Sequence, residues 1–256
     1  MIVSSQNTKV KLVRALAGRA KERREAGAFL AEGVRLVEEA LLAGWPIRFV
    51  LHSGETSGRA QELLGSLRER KIEVDEIDSG LMQSLSDTET PQGVLAVLEE
   101  QALSFEDPLD FLLIPDLIRD PGNLGTLLRS ADAAGVQAVL VPPETADAFS
   151  PKVVRAGMGA HFRLPIRAMS WEQIKGYTSG LKVYLADANG ASCWKADFKP
   201  PLALVVGGEA AGASMPAREL AEWLVSIPML GRTESLNAAV AGSVLMFEVL
   251  RQRSNI

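Results

Sequence analysis

The 256-residue chain has a single cysteine, Cys193, so it can form no internal disulfide and calls for no oxidising compartment. Its two histidines, His52 and His161, lie far apart, and no CxxC or HExxH spacing occurs; no metal site is expected. Aromatic residues reach only 5%, too few for base stacking to dominate a nucleic-acid contact. No apolar run approaches the roughly 18 residues of a membrane span, and the opening MIVSSQNTKVKL lacks a stretch of signal-peptide character. A soluble, cytoplasmic chain with no membrane partner is the expectation. What remains is 47% hydrophobic and 23% charged. That ordinary globular composition suits one large domain or two modest ones and rules out a disordered or collagen-like chain.

A net charge of -5 argues against a nucleic-acid partner until its distribution is read. Residues 1–24 carry Lys9, Lys11, Arg14, Arg19, Lys21, Arg23 and Arg24 against Glu22 alone, a local net of +6. Such a basic arm is either an electrostatic footprint for a phosphate backbone or a solvated helix face, and charge alone favours the second.

Two halves meet near QALSFEDPLD (101–110), giving expected domains of 1–104 and 105–256. The first mixes helical spacing at 8–20, 32–43 and 58–70 with strand-like runs at 47–53, 72–77 and 93–100, as in a small α/β layer structure. The second alternates more cleanly. Short apolar runs at 111–117, 138–143, 182–187, 202–208 and 224–229 end in Gly, Pro or Asp, the pattern of buried parallel strands. Helical patterns at 123–134, 151–158, 171–179, 216–223 and 235–252 lie between and after them. Right-handed crossovers would wind this into an open parallel sheet with helices on both faces.

In such a sheet ligands bind beyond the carboxyl ends of the strands, where three segments are rich in special residues. In IRDPGNLGTLLRSADAAG (118–135), Pro121, Gly122 and Gly125 shape a turn into a helix that carries Asn123 and, about 9 Å further along its axis, Arg129. An arginine among Leu127, Leu128 and Ala131 clamps an anion or pairs with a carboxylate; the plainer alternative is a structural ion pair with Asn123 as a cap. In LALVVGGEAAGAS (202–214), Gly207 and Gly208 allow close backbone approach and Glu209 follows; neither GK[ST] nor GxGxxG is present. In LVSIPMLGRTESLNAAVAGSVLMFEVL (224–250), Ser235 and Asn237 open a helix that is apolar on nearly every face and must therefore be buried. Capping accounts readily for Ser235 and less well for Asn237, which this reading puts inside the first turn.

Taken together and in order, the three segments resemble the signature motifs of the SpoU/TrmH family of RNA ribose 2′-O-methyltransferases, in the SPOUT superfamily. The likeness spans about residues 110–250. SSQNTKVKLVRALAGRAKERREAGAFLAEGVRLVEEAL (4–41) and LSDTETPQGVLAV (85–97) resemble the L30-like substrate-binding domain that precedes the catalytic domain in many rRNA members. The resemblance implies a parallel sheet whose C-terminal segment forms a deep trefoil knot, S-adenosyl-L-methionine as cofactor, and a homodimer sharing its active sites. It implies that Gly207, Ile227 and Leu236 hold the adenosine part, with Gly208, Met229 and Leu230 in the same cofactor-binding segments. It also makes Asn123, Arg129, Glu209, Ser235 and Asn237 the catalytic and site-shaping residues. The chain departs from the commonest pattern at Gly208, where many members carry Asn or another side chain, and at Ala238-Ala239, where Val-Ser is frequent.

Methyl transfer to a ribose hydroxyl is an in-line displacement in which the cofactor brings the carbon and the protein brings position and a proton route. The family account makes the residue matching Arg129 the proton acceptor; a guanidinium, a permanent cation, suits an electrostatic clamp better, with Glu209 as the rival base. Beside an RNA-binding domain, the basic arm is more simply an RNA contact, salt-dependent through counterion release. rRNA is the expected substrate. tRNA, a non-catalytic ribosome-assembly factor and a dinucleotide-dependent oxidoreductase are the competing readings; the absence of GxGxxG counts against the last.

Overall fold

A computed structural model describes residues 1–54, 56–86, 88, 91–208, 212–233 and 235–254. The chain divides into two compact units, one of residues 1–101 and 149–162, the other of 102–148 and 163–256.

The first unit opens with α1 (Thr8–Gly18) and α2 (Ala20–Ala26), followed by β1 (Ala28–Glu32), α3 (Val34–Leu42), β2 (Ile47–Ser53), α4 (Gly58–Glu69), β3 (Glu73–Ile77), α5 (Ser79–Leu85) and β4 (Val94–Glu99). Its sheet runs β1-β4-β2-β3, antiparallel except for the parallel β2–β3 pair. Val10, Val13 and Leu16 recur at helical spacing on α1 and pack with Leu30, Leu51 and Val97 in one core. β1 is absent from the sequence reading because five residues between two helical patterns offer little periodicity. It is delimited by Gly27, which ends α2 at φ +56 where a side chain would be strained.

The second unit contributes β5 (Phe111–Asp116), α6 (Pro121–Ala133) and β6 (Ala138–Val141) before the chain enters α7 (Pro151–Gly157), which belongs to the first unit. The helix at 151–158 was expected among the second-half strands. It sorts with the first unit because Phe149 and Phe162, which flank it, join Phe29 and Trp45 in a ring cluster, with centroids 5.2 Å (Phe29–Phe149) and 5.3 Å (Trp45–Phe162) apart. The second unit resumes with β7 (Ile166–Ala168), α8 (Trp171–Tyr177), β8 (Lys182–Ser192), β9 (Leu202–Gly207), α9 (Met215–Leu220), β10 (Trp223–Ser226) and α10 (Ala238–Arg253).

Its six strands are ordered β10-β8-β9-β5-β6-β7 and all pair in parallel, the expected open sheet. Ile174 of α8 and Ala217 of α9 bury one face with Leu112, Ile114, Leu140 and Val205. α6 and α10 cover the other; a Cβ on Gly242 would lie 2.5 Å from a Leu127 methyl and 3.2 Å from a Val206 methyl, so these helices approach closely only through glycine. β7 was not anticipated, since three residues beside Pro165 and Arg167 make no apolar run. α10 was expected to be buried all round, yet Val240 and Phe247 are each 47% exposed. No described helix is long and apolar enough to cross a membrane.

Candidate active site

Beyond the carboxyl ends of β9 and β10, and beside the middle of β8, lies a cavity of about 580 Å³, of the size that takes a small-molecule ligand. Gly207, Gly208, Ile227, Met229, Ser235, Leu236 and Asn237 all line it, so the second and third glycine- and asparagine-bearing segments converge on one site. Leu230 does not; it is fully exposed and outside the lining. Glu209 lies outside the described residues.

The glycine wall follows from backbone packing. A Cβ on Gly207 would sit 2.8 Å from the Ala213 nitrogen, and one on Gly208 would sit 2.4 Å from the Leu117 carbonyl oxygen. The departure at Gly208 is thereby accounted for locally: with Leu117 held at φ +54, no side chain fits. Asp116, wholly buried and paired in register with Gly207, accepts the Ser214 amide at 2.6 Å and ties down the far side of this turn. Burial raises its carboxyl above the ordinary range, opposed by that hydrogen bond.

The first segment joins through its side chains. Asn237 Nδ2 donates to Asn123 Oδ1 at 3.0 Å, a bond between residues 114 apart in sequence. Asn237, expected inside the first turn, is instead the N-cap of α10: its Oδ1 accepts from the Ala239 and Val240 amides at 3.0 and 3.2 Å. Ser235, expected as the cap, stands two residues outside the helix, exposed on the cavity wall with no hydrogen bond among the described residues. The expected capping role of Asn123 falls to Asp120, whose carboxylate accepts the Asn123 amide at 2.8 Å. The Asn123 side chain itself bonds to Asn237.

Arg129 is exposed on α6 and makes no ion pair or hydrogen bond among the described residues. Its neighbours Leu127, Leu128 and Ala131 are completely buried, so a long exposed cation stands on a helix whose other residues here are committed to the core. Among the described residues no carboxylate pairs with it.

The basic arm divides in two. Lys11, Arg14, Arg19, Lys21 and Arg24 are exposed, Lys21 only loosely paired with Glu25 at 3.6 Å. Arg23 and Lys9 require correction as RNA contacts. Arg23 is 3% exposed and donates to the Leu16 carbonyl at 2.6 Å and the Gly18 carbonyl at 3.4 Å, stitching α1 to α2. Lys9 is paired with Glu73 at 2.6 Å and with Asp75, and lies over the Phe49 ring. Charge alone cannot tell a solvated cation from one folded inward. Arg23→Ala should lower unfolding free energy by about 2 kcal/mol in urea titrations, because buried carbonyls lose their donor. Arg24→Ala should change it by less than about 0.5 kcal/mol.

Sequence reasoning missed Asp187, at the end of the 182–187 run, and Ser214. The signal for Asp187 was an acid at a strand's carboxyl end; nothing in sequence marks Ser214.

A model of the SpoU rRNA methylase family matches residues 110–247, and one of an MRM3-like substrate-binding domain matches residues 7–96. The chain is 35% identical to the 23S rRNA (uridine(2479)-2′-O)-methyltransferase of Streptomyces viridochromogenes, over 98% of this chain and 92% of that one. It is 36% identical to the 23S rRNA (guanosine(2553)-2′-O)-methyltransferase RlmP of Bacillus subtilis, over 97% and 98%. Among solved structures, the SpoU methyltransferase AviRb from Streptomyces viridochromogenes with AdoMet superposes with a TM-score of 0.87 at 35% identity, covering 97% of this chain and 98% of that one. An AdoMet-bound rRNA methyltransferase from Sinorhizobium meliloti gives 0.84 at 30%, covering 99% and 98%.

Proposed function

The chain belongs to the SpoU rRNA methylase family, and we propose from that membership and the site geometry that it transfers a methyl group from S-adenosyl-L-methionine to a ribose 2′-hydroxyl of 23S-type rRNA. The observation that carries the reading is the convergence of the three loops: a glycine-walled cavity beyond the strand ends, stapled to the first loop by the Asn237–Asn123 bond. The cavity fits the cofactor: its volume suits a nucleoside with an amino-acid tail, and its glycine wall leaves backbone rather than side chains facing the ligand. When bound, S-adenosylmethionine supplies an electrophilic methyl on a positively charged sulfonium.

The remaining work falls to the chain's own residues. Gly207, Gly208, Ile227, Met229 and Leu236 form the cofactor's walls. Asn123 and Asn237 fix the start of α10 against the first turn of α6, so both loops face the incoming nucleotide in one geometry. Ser235 offers at the rim a hydroxyl with no hydrogen bond among the described residues. Arg129 binds the phosphate next to the target ribose and stabilises negative charge developing on its oxygen. Lys11, Arg14, Arg19, Lys21 and Arg24 form the reduced basic face for RNA backbone. The implied homodimer and trefoil knot belong to the same reading. Fully exposed Leu230 and the half-exposed Val240 and Phe247, seven residues apart on α10, are apolar groups that a second copy would cover. A cytoplasmic location follows from a ribosomal substrate.

Labelled methyl from S-adenosylmethionine, offered separately to unmodified rRNA and tRNA with the digested nucleosides analysed, should appear as a 2′-O-methyl nucleoside from rRNA alone. Label on a base, or on tRNA in preference, would overturn the corresponding part of the reading.

A further inference from the structure

β8 and β10 pair in register at Leu185–Leu224 and then resume at Ala191–Val225, so residues 186–190 leave the ladder as a five-residue excursion. Gly190 lets the excursion close back: a Cβ there would lie 2.4 Å from the Val225 nitrogen, and the Ser226 hydroxyl donates to the Gly190 carbonyl at 2.8 Å. The excursion carries Ala186, Asp187 and Ala188 onto the cavity wall. Among the described lining residues Asp187 is the one charged side chain; the others are apolar, glycine, serine or asparagine.

We propose that Asp187 is a charge-selective cofactor contact, favouring cationic S-adenosylmethionine over the neutral product S-adenosylhomocysteine and so assisting product exchange. The inference rests on the cofactor assignment above and adds the group that discriminates substrate from product.

The carboxylate is fixed in place and fixed in charge. The Asn189 amide and Nδ2 donate to its Oδ1 at 3.0 and 3.2 Å, and Arg218 Nη1 reaches Oδ2 at 3.0 Å. The Asn189 bond first, and Arg218 after it, hold the acid below the usual carboxylate range. Arg218 does not cancel it toward the cavity. Arg218 lies outside the lining and its side chain is 44% exposed against 14% for Asp187, so water screens the guanidinium more than the carboxylate. Among the described lining residues Asp187 therefore places negative charge at the wall, with its partner's positive charge further out. S-adenosylmethionine, with a sulfonium, an ammonium and one carboxylate, enters at net +1; loss of the methyl cation equivalent leaves a neutral zwitterion that this charge no longer holds.

Isothermal titration of S-adenosylmethionine, S-adenosylhomocysteine and sinefungin, whose amine makes it a stable cationic analogue, tests this on the full chain. Asp187→Asn should weaken S-adenosylmethionine and sinefungin about fivefold and leave S-adenosylhomocysteine within about twofold. Arg218→Gln, which keeps the carboxylate and removes its partner, should raise the preference for the cations by about twofold. Equal weakening of all three ligands in Asp187→Asn, no weakening of any, or loss of the cation preference in Arg218→Gln would overturn the proposal and leave the pair as a wall support. Failure of the unmodified chain to bind any of the three would instead overturn the cofactor assignment, and this inference with it.

Discussion

Arg129→Ala is expected to reduce single-turnover methyl transfer by about a thousandfold while cofactor affinity stays within about twofold. The separation follows from placement. Arg129 is absent from the cavity lining, and it is exposed with no partner among the described residues, so its removal breaks nothing that holds the cavity together. Stability should change by less than about 0.5 kcal/mol, as for a surface substitution without packing loss. What disappears is a guanidinium able to take a phosphate and to stand near the oxygen on which charge develops, an interaction made only with RNA in place and strongest in the transition state. Arg129→Lys should recover the charge but not the planar fork, giving intermediate rates. Rapid-quench turnover at saturating cofactor, with titration calorimetry beside it, separates the two quantities; a parallel fall in cofactor affinity would remove Arg129 from the clamp role.

The parts of this fold legible in sequence are those where burial leaves a long apolar trace. β5, β8 and β9 start where their apolar runs start, because parallel strands covered on both faces cannot alternate. β1 and β7 left no such trace. The site was legible as three loops with Gly207, Gly208, Asn123 and Asn237 in them because the three in order resemble one family's motifs; singly, glycines after a strand and asparagines at a helix start are ordinary turn and cap residues. Which asparagine capped and which one bridged depended on α10 beginning at Ala238, three residues later than the apolar pattern suggests. Asp187 needed a strand register broken at residue 185, and Arg23 needed knowledge of which way its side chain turns. Both are decided by long-range packing, which local pattern does not report; the acid ending an apolar run marked Asp187 only as a candidate. The same holds for residues 149–162, whose aromatic ends find partners more than a hundred positions away.

Gly207→Ala tests the glycine wall most directly. The added methyl would lie 2.8 Å from both the Ala213 nitrogen and the Gly212 carbonyl carbon, closer than real Cβ contacts come, and both obstacles are backbone. Neither can step aside easily. The Ser214 amide is held at 2.6 Å by buried Asp116, and the Gly212 amide donates back to the Gly208 carbonyl at 3.0 Å. On the other side Gly207 is paired in register with Asp116 in the sheet, so moving β9 would disturb its centre. Overpacking at such a point costs about 2 kcal/mol, and the relief available is to push Gly212 and Ala213 toward the cavity they line. The expected result is a cofactor affinity at least about tenfold weaker together with a lower urea midpoint. Gly176→Ala is the matched control: it lies within α8 with nothing within 4 Å of a Cβ, and should stabilise by about 0.5–1 kcal/mol through helix propensity with cofactor binding unchanged. If Gly207→Ala bound cofactor as the unmodified chain does, the close backbone approach would be no part of what shapes the site, and the cavity walls would have to be set by side chains instead.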